Sequence, residues 1–188
     1  LPGSSFINPN DPLRAPLTAA AAQRVSELTA LAPDFMPLGQ MVDERTLVNA
    51  MVGLLATGGS TNHSIHLPAI GRMAGVIIDW QDMADLSDVV PLLTRVYPNG
   101  KADINAFQQS GGMAYLMREL ASAGLLHTDV KTIMGDGLEP YFREPYLNSE
   151  GTLSWRPAVA ESLDLSVLAP AHAPFMREGG MKLLQGNL

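Results

Sequence analysis

Polar side chains are densest in this chain between Gly58 and His66, in the run Gly-Gly-Ser-Thr-Asn-His-Ser-Ile-His, set among apolar residues. Glycines let a backbone come close to a ligand. A helix beginning here presents N–H groups without intrahelical acceptors, at the positive end of the helix dipole. Ser60, Thr61 and Asn62 add hydroxyl and amide donors at the same place. Such a set suits a carboxylate or a phosphate. The same residues also read as a plain helix-to-helix turn with Ser60 as its N-cap. The lysine and spacing of a Walker loop are missing, so a nucleotide P-loop is not expected.

His63 and His66 are three apart and share a helix face. A helical zinc-hydrolase site needs two histidines four apart and a glutamate, so a hydrogen-bonding role is expected here and no metal is assigned. Asp79, Asp82, Asp85 and Asp88 recur every three residues and spread over a solvated helix face rather than converging on an ion. Met113, Leu116, Met117 and Leu120 form a core stripe, Gly135-Asp136-Gly137 a tight turn, and His127 and His172 stand alone. There is no Gly-x-Ser-x-Gly elbow and no dinucleotide fingerprint. No catalytic residue is assigned; as an enzyme, the set is incomplete.

The elements that must position these groups are mostly helices. Residues 1–14 read as a loop, with Asp11 and Pro12 opening a first helix that runs to about Leu31 and has a small alanine face for close packing. Asp43 starts a second helix, whose Leu47, Val48, Met51, Val52, Leu54 and Leu55 cover most of its circumference and predict burial on more than one side. Gly58 and Gly59 end it. A third helix is expected over about 60–73, kinked or delayed by Pro68. Residues 75–80 read as a strand, and a short acidic helix follows. Pro98-Asn99-Gly100 is a turn, and two helices meet at Ser110-Gly111-Gly112. Residues 130–134 read as a short strand, 143–175 as a proline-rich irregular wrap, and 181–188 as a strand just beginning, which predicts an excised piece of a longer chain.

Bulk properties set the outer limits. The chain has 188 residues, a net charge of −7, no cysteine, 46% hydrophobic and 16% charged residues. That is too apolar for a disordered segment. It holds no run near the roughly 20 apolar residues of a membrane span. An acidic balance without a basic stretch argues against nucleic acid. Without cysteine there is no disulfide, thiolate metal site or thiol nucleophile in these residues.

Four stretches, 1–14, 56–76, 85–112 and 119–132, together with the terminal Gly-Gly-Met-Lys-Leu-Leu-Gln-Gly-Asn-Leu, resemble the dihydroxy-acid/6-phosphogluconate dehydratase family, collinearly and over nearly the whole chain. Ser-Thr-Asn-His-Ser-Ile-His, Tyr-Pro-Asn-Gly-Lys-Ala-Asp-Ile-Asn-Ala-Phe and the later Glu-Pro-Tyr-Leu-Asn with Leu-Ser-Trp are similar to its sugar-acid branch. The resemblance implies a helix-rich α/β fold with a few short strands. Residues 1–175 would be the later part of the large N-terminal α/β domain, and 176–188 the start of a C-terminal β-barrel-like domain. It further implies a hydro-lyase of the Entner–Doudoroff route that converts 6-phospho-D-gluconate to 2-dehydro-3-deoxy-6-phosphogluconate, cytoplasmic and homodimeric. An iron–sulfur cluster, [4Fe-4S] in this branch, and a divalent cation would be held by segments outside these residues. Gly59, Ser60, Thr61, Asn62 and His63 would then be the substrate-binding wall, with His63 helping to select a phosphorylated sugar acid. The alternatives are a dehydratase of another sugar acid or dihydroxy acid, and a non-catalytic scaffold or dimer-interface module.

Overall fold

A computed structural model describes residues 1–186. It holds seven helices and four short strands: α1 (Arg14–Glu27), α2 (Leu38–Met41), α3 (Glu44–Thr57), α4 (His63–Met73), α5 (Trp80–Val89), α6 (Ile104–Ser110), α7 (Gly112–Ser122), β1 (Lys131–Thr132), β2 (Gly135–Asp136), β3 (Arg143–Leu147) and β4 (Leu153–Pro157). This is the helix-rich α/β arrangement that the sequence leads one to expect. β1 pairs antiparallel with β2 and β3 with β4, in two separate two-stranded sheets.

Helix α3 is the axis of the molecule. Asp43 caps it through a reciprocal box: its carboxylate accepts from the Thr46 N–H at 2.9 Å, and the Thr46 hydroxyl oxygen accepts from the Asp43 N–H at 2.9 Å. The bond from the Thr46 backbone, aided by the Thr46 side chain and Arg45, holds the Asp43 carboxyl below the usual aspartate range against the opposing effect of burial. Asp79 caps α5 through the same reciprocal box, with Asp82, and Asp103 caps α6 by accepting from the Ala106 N–H alone. As the wide apolar arc predicts, α3 is buried on two sides. Val52, Leu55 and Ala56 join Val90, Leu93, Phe107, Tyr115, Leu116, Leu120 and Leu168 in the main core. Met51 and Leu54 face Leu67 of α4 and Met83 of α5 in a second, smaller cluster.

An extended segment, residues 90–96, threads the main core. Leu93 N–H donates to the Ala56 carbonyl at 2.8 Å, Arg95 N–H to Val167 at 2.9 Å, and Ala169 N–H returns to Leu93 at 2.8 Å. Buried Thr94 donates its hydroxyl to the Thr57 carbonyl at 2.8 Å, so the segment ties the last turn of α3 to residues 167–169.

Several expectations are corrected. The alanine face of α1 hardly packs; Leu17 is its one buried residue, and the helix ends at Glu27, not Leu31. Residues 76–79 are without ladder partners rather than a strand, because the chain there only bridges α4 and α5. Gly135 and Asp136 form β2 themselves, and the turn lies at residues 133–134. The supposed irregular wrap contains the β3–β4 hairpin in its first part. Residues 181–185 form no strand, 186 is a bend, and 187–188 lie outside the described residues.

Candidate substrate-binding site

The end of α3 builds the site. Gly58 adopts the left-handed conformation at φ 57°, its N–H donating to Leu55, while Gly59 N–H reaches back to Leu54 at 3.2 Å. That pair of bonds is a Schellman closure, and glycine at the first position avoids the Cβ clash of a left-handed residue. The chain then reverses through 60–62, and α4 begins at His63, three residues later than the sequence suggests. Pro68 sits inside α4, so the Ser64 carbonyl receives no N–H from it.

Ser60 is not a plain helix cap. Its Oγ accepts from Asn62 N–H at 3.2 Å, and its carbonyl accepts from His63 N–H at 3.0 Å. Thr61 O takes both the N–H and the hydroxyl of Ser64, the latter at 2.6 Å, and Asn62 O takes the N–H groups of Ile65 and His66. Of the backbone donors from 59 to 63, this leaves the N–H groups of Ser60 and Thr61 without an internal acceptor among the described residues. Ser60, Thr61, Asn62 and His63 are exposed and Gly59 is half-buried. The Thr61 hydroxyl and the Asn62 amide make no internal hydrogen bond among the described residues. The structure therefore brings all five sequence-derived residues to one surface turn, with two free amides, two hydroxyls, a carboxamide and an imidazole. His63 Nδ1 lies 3.3 Å from the Ser60 carbonyl; the tautomer that donates there leaves Nε2 for another partner. His66 is exposed one turn on.

Gly59 and His63 also stand at the rim of a cavity of about 580 Å³, running between α3 and α7. Its walls include Leu54, Leu67, Val96, Phe107, Met113, Leu116 and Met117. The hydroxyls of Thr57 and Thr94, also in the lining, are already given to the backbone carbonyls of Gly53 and Thr57. A charged ligand cannot be desolvated against such walls without loss. Polar groups for a charged ligand stand at the rim, not in the apolar interior.

Two neighbours of the turn escaped sequence reasoning. The Asn99 carboxamide donates to the Gly58 carbonyl, from a loop 41 residues away. Gly180 packs so tightly that an added Cβ would lie 2.5 Å from Gly58 Cα and 2.9 Å from Asn99 Nδ2. Asn99 reads as turn chemistry and Gly180 as a strand entry, and only an asparagine-glycine and a glycine pair mark them in the sequence. No three His, Asp, Glu or Cys side chains converge among the described residues.

A sequence model of the dihydroxy-acid/6-phosphogluconate dehydratase N-terminal region matches residues 1–141. The chain belongs to the dihydroxy-acid/6-phosphogluconate dehydratase family. Within that family it is 55% identical to phosphogluconate dehydratase of Zymomonas mobilis and 56% to that of Escherichia coli K12, in both cases over all of this chain and 31% of the relative. It is 31% identical to dihydroxy-acid dehydratase of Caldanaerobacter subterraneus, over the same shares. The chain thus spans about a third of the length of these family members.

Proposed function

We propose that the chain is part of a hydro-lyase that removes water from 6-phospho-D-gluconate to give 2-dehydro-3-deoxy-6-phosphogluconate, the dehydration of the Entner–Doudoroff route. One observation carries this: identity of 55–56% to two phosphogluconate dehydratases against 31% to a dihydroxy-acid dehydratase, over the whole chain each time. Within the enzyme, Gly59, Ser60, Thr61, Asn62 and His63 form one wall of the substrate cleft. The N–H groups of Ser60 and Thr61, with the Ser60, Thr61 and Asn62 side chains, hold an anionic end of the sugar acid. His63 favours a phosphorylated substrate through Nε2. What supports the wall is its exposure together with its uncommitted donors.

The same reading includes a [4Fe-4S] cluster and a divalent cation, a cytoplasmic homodimer, and a division into residues 1–175 of the N-terminal domain and 176–188 opening the next. When bound, the cluster supplies Lewis-acid chemistry at the departing hydroxyl. With no cysteine in 188 residues, this chain does not fit as its ligand set, and no step is routed through it. The chain's own task is to bind and orient.

The test uses the full-length protein, numbered as here. It should turn over 6-phosphogluconate and leave a branched dihydroxy acid essentially untouched; the reverse preference sinks the assignment. Ser60→Ala combined with Asn62→Ala should raise KM for 6-phosphogluconate about tenfold or more, since each lost hydrogen bond to a charged group is worth about 1.5–3 kcal/mol. Unchanged kinetics would remove the wall.

A further inference from the structure

We infer that Asn99 and Gly180 are positioning residues for substrate binding: they lock the Gly58-Gly59 turn and so set where the donors of Ser60, Thr61 and Asn62 stand. The inference rests on the reading of residues 59–63 as the substrate wall.

Residues 60–62 lie outside both helices and are exposed, and their own hydrogen bonds tie them only to one another and to the first turn of α4. Two distant segments hold the turn from outside. From the loop between residues 96 and 102, the Asn99 carboxamide donates to the Gly58 carbonyl. The Val96 and Ala102 ends of that loop are tied to each other, Tyr97 N–H donating to Ala102 at 2.9 Å and Gly100 N–H to Val96 at 3.1 Å, so Asn99 projects from a closed frame. From the other side, Gly180 N–H donates to Leu55 at 2.9 Å and Gly179 N–H to Ser87 at 2.7 Å, while the buried Ser87 hydroxyl donates to Met181 at 2.5 Å. These bonds press Gly180 against Gly58 and Asn99, where only a missing side chain leaves room.

Gly58 is therefore clamped between a donor, which holds its carbonyl, and the backbone of Gly180. Asn99 itself is exposed, so its removal does not open the core. A wall of backbone donors holds an anion only while their directions are fixed in advance, since small misplacements at a binding centre cost rate out of proportion.

The experiment uses the full-length enzyme with 6-phosphogluconate as the probe and reads KM, kcat, thermal stability and amide exchange at residues 58–63. Asn99→Ala should raise KM about tenfold with kcat changed less, speed exchange in the turn, and leave Tm nearly unmoved. Asn99→Asp has the same shape but sets an oxygen against the Gly58 carbonyl. It should be at least as impaired; recovery in Asn99→Asp would reduce the residue to filler and overturn the inference. Gly180→Ala should give the same KM rise. Combined with Ser60→Ala and Asn62→Ala, the Asn99→Ala effect should shrink but persist, because the side chains are gone while the backbone donors it positions remain. If the Ser60/Asn62 variant raises KM while Asn99→Ala alters neither KM nor exchange, positioning is overturned and the wall stands. If the Ser60/Asn62 variant leaves KM unchanged, the wall is lost, and positioning falls with it even where exchange still reports the clamp.

Discussion

Gly53 and Gly58 lie five residues apart on α3 and its end, yet they answer to different physics. Gly58 has φ 57° and is crowded by Asn99 and Leu92, so a side chain there meets both a backbone penalty and a clash. Gly58→Ala should destabilise the 188-residue chain by at least about 1–2 kcal/mol in denaturant unfolding, the usual cost of the left-handed conformation for an L-residue. Gly53 sits mid-helix with open space where its Cβ would be, on the lining of the large cavity. Gly53→Ala should stabilise by roughly 0.4–1 kcal/mol in the same measurement, through the helix and the unfolded chain. A loss at Gly53 would mean that the cavity is narrower than the geometry allows. From the sequence, Gly58 reads with Gly59 as the end of the helix, while nothing nearby says what faces either Gly58 or Gly53. Whether a glycine is required depends on what faces it, and residues from other parts of the chain supply that.

Among the elements, those with local start and stop signals were legible. Asp43, four apolar turns and the Gly-Gly pair mark α3 without help from the fold. Asp43→Ala should cost about 1 kcal/mol, within the usual range of about 0.5–2 for a lost cap. Because the folded Asp43 carboxyl is held below its ordinary value, its contribution is present above the unfolded aspartate pKa and is lost as pH falls through the folded one. The gap in stability between wild type and Asp43→Ala should thus be full at neutral pH and close in acid, as urea titrations at stepped pH would record. The β3–β4 hairpin was hidden for the opposite reason. Pro145 and Pro157 lie within it and speak against a strand. Asn148 N–H bonds to Thr152 and Ala158 N–H to Phe142, so the alternation of an antiparallel ladder places both prolines at positions that donate nothing to the partner strand. Composition cannot reveal register.

At the scale of the molecule, stability is concentrated where segments far apart in the chain meet. Leu93 and Leu168 are both 0% exposed, and the backbone of each segment is bonded to the other. Leu93→Ala should cost about 2–5 kcal/mol, the range for a buried leucine whose cavity cannot collapse, seen as a shifted urea midpoint with little change in slope. The outer side of α4 contrasts with this core: Ile65 is 67% and Met73 89% exposed, with Ile70 also on the surface. Apolar patches of this kind drive association. The 188-residue chain alone should grow in mass with concentration by light scattering, and Ile65→Glu with Met73→Lys should return it toward a monomer. No helix among the described residues is long and apolar enough to cross a membrane.

The amino-acid sequence by itself determined the helical punctuation, the two-sided burial of α3, the family, and the cluster of donors from Gly59 to His63. Each of these is written in neighbouring residues, through capping, periodicity or composition. Only the tertiary structure decided that Asn99 and Gly180 close on Gly58, that Thr94 satisfies the end of α3, and which of the five amides remain free to meet a ligand. Those outcomes depend on contacts across 37 to 41 residues of chain, and farther for Gly180, where nothing local fixes the direction of approach.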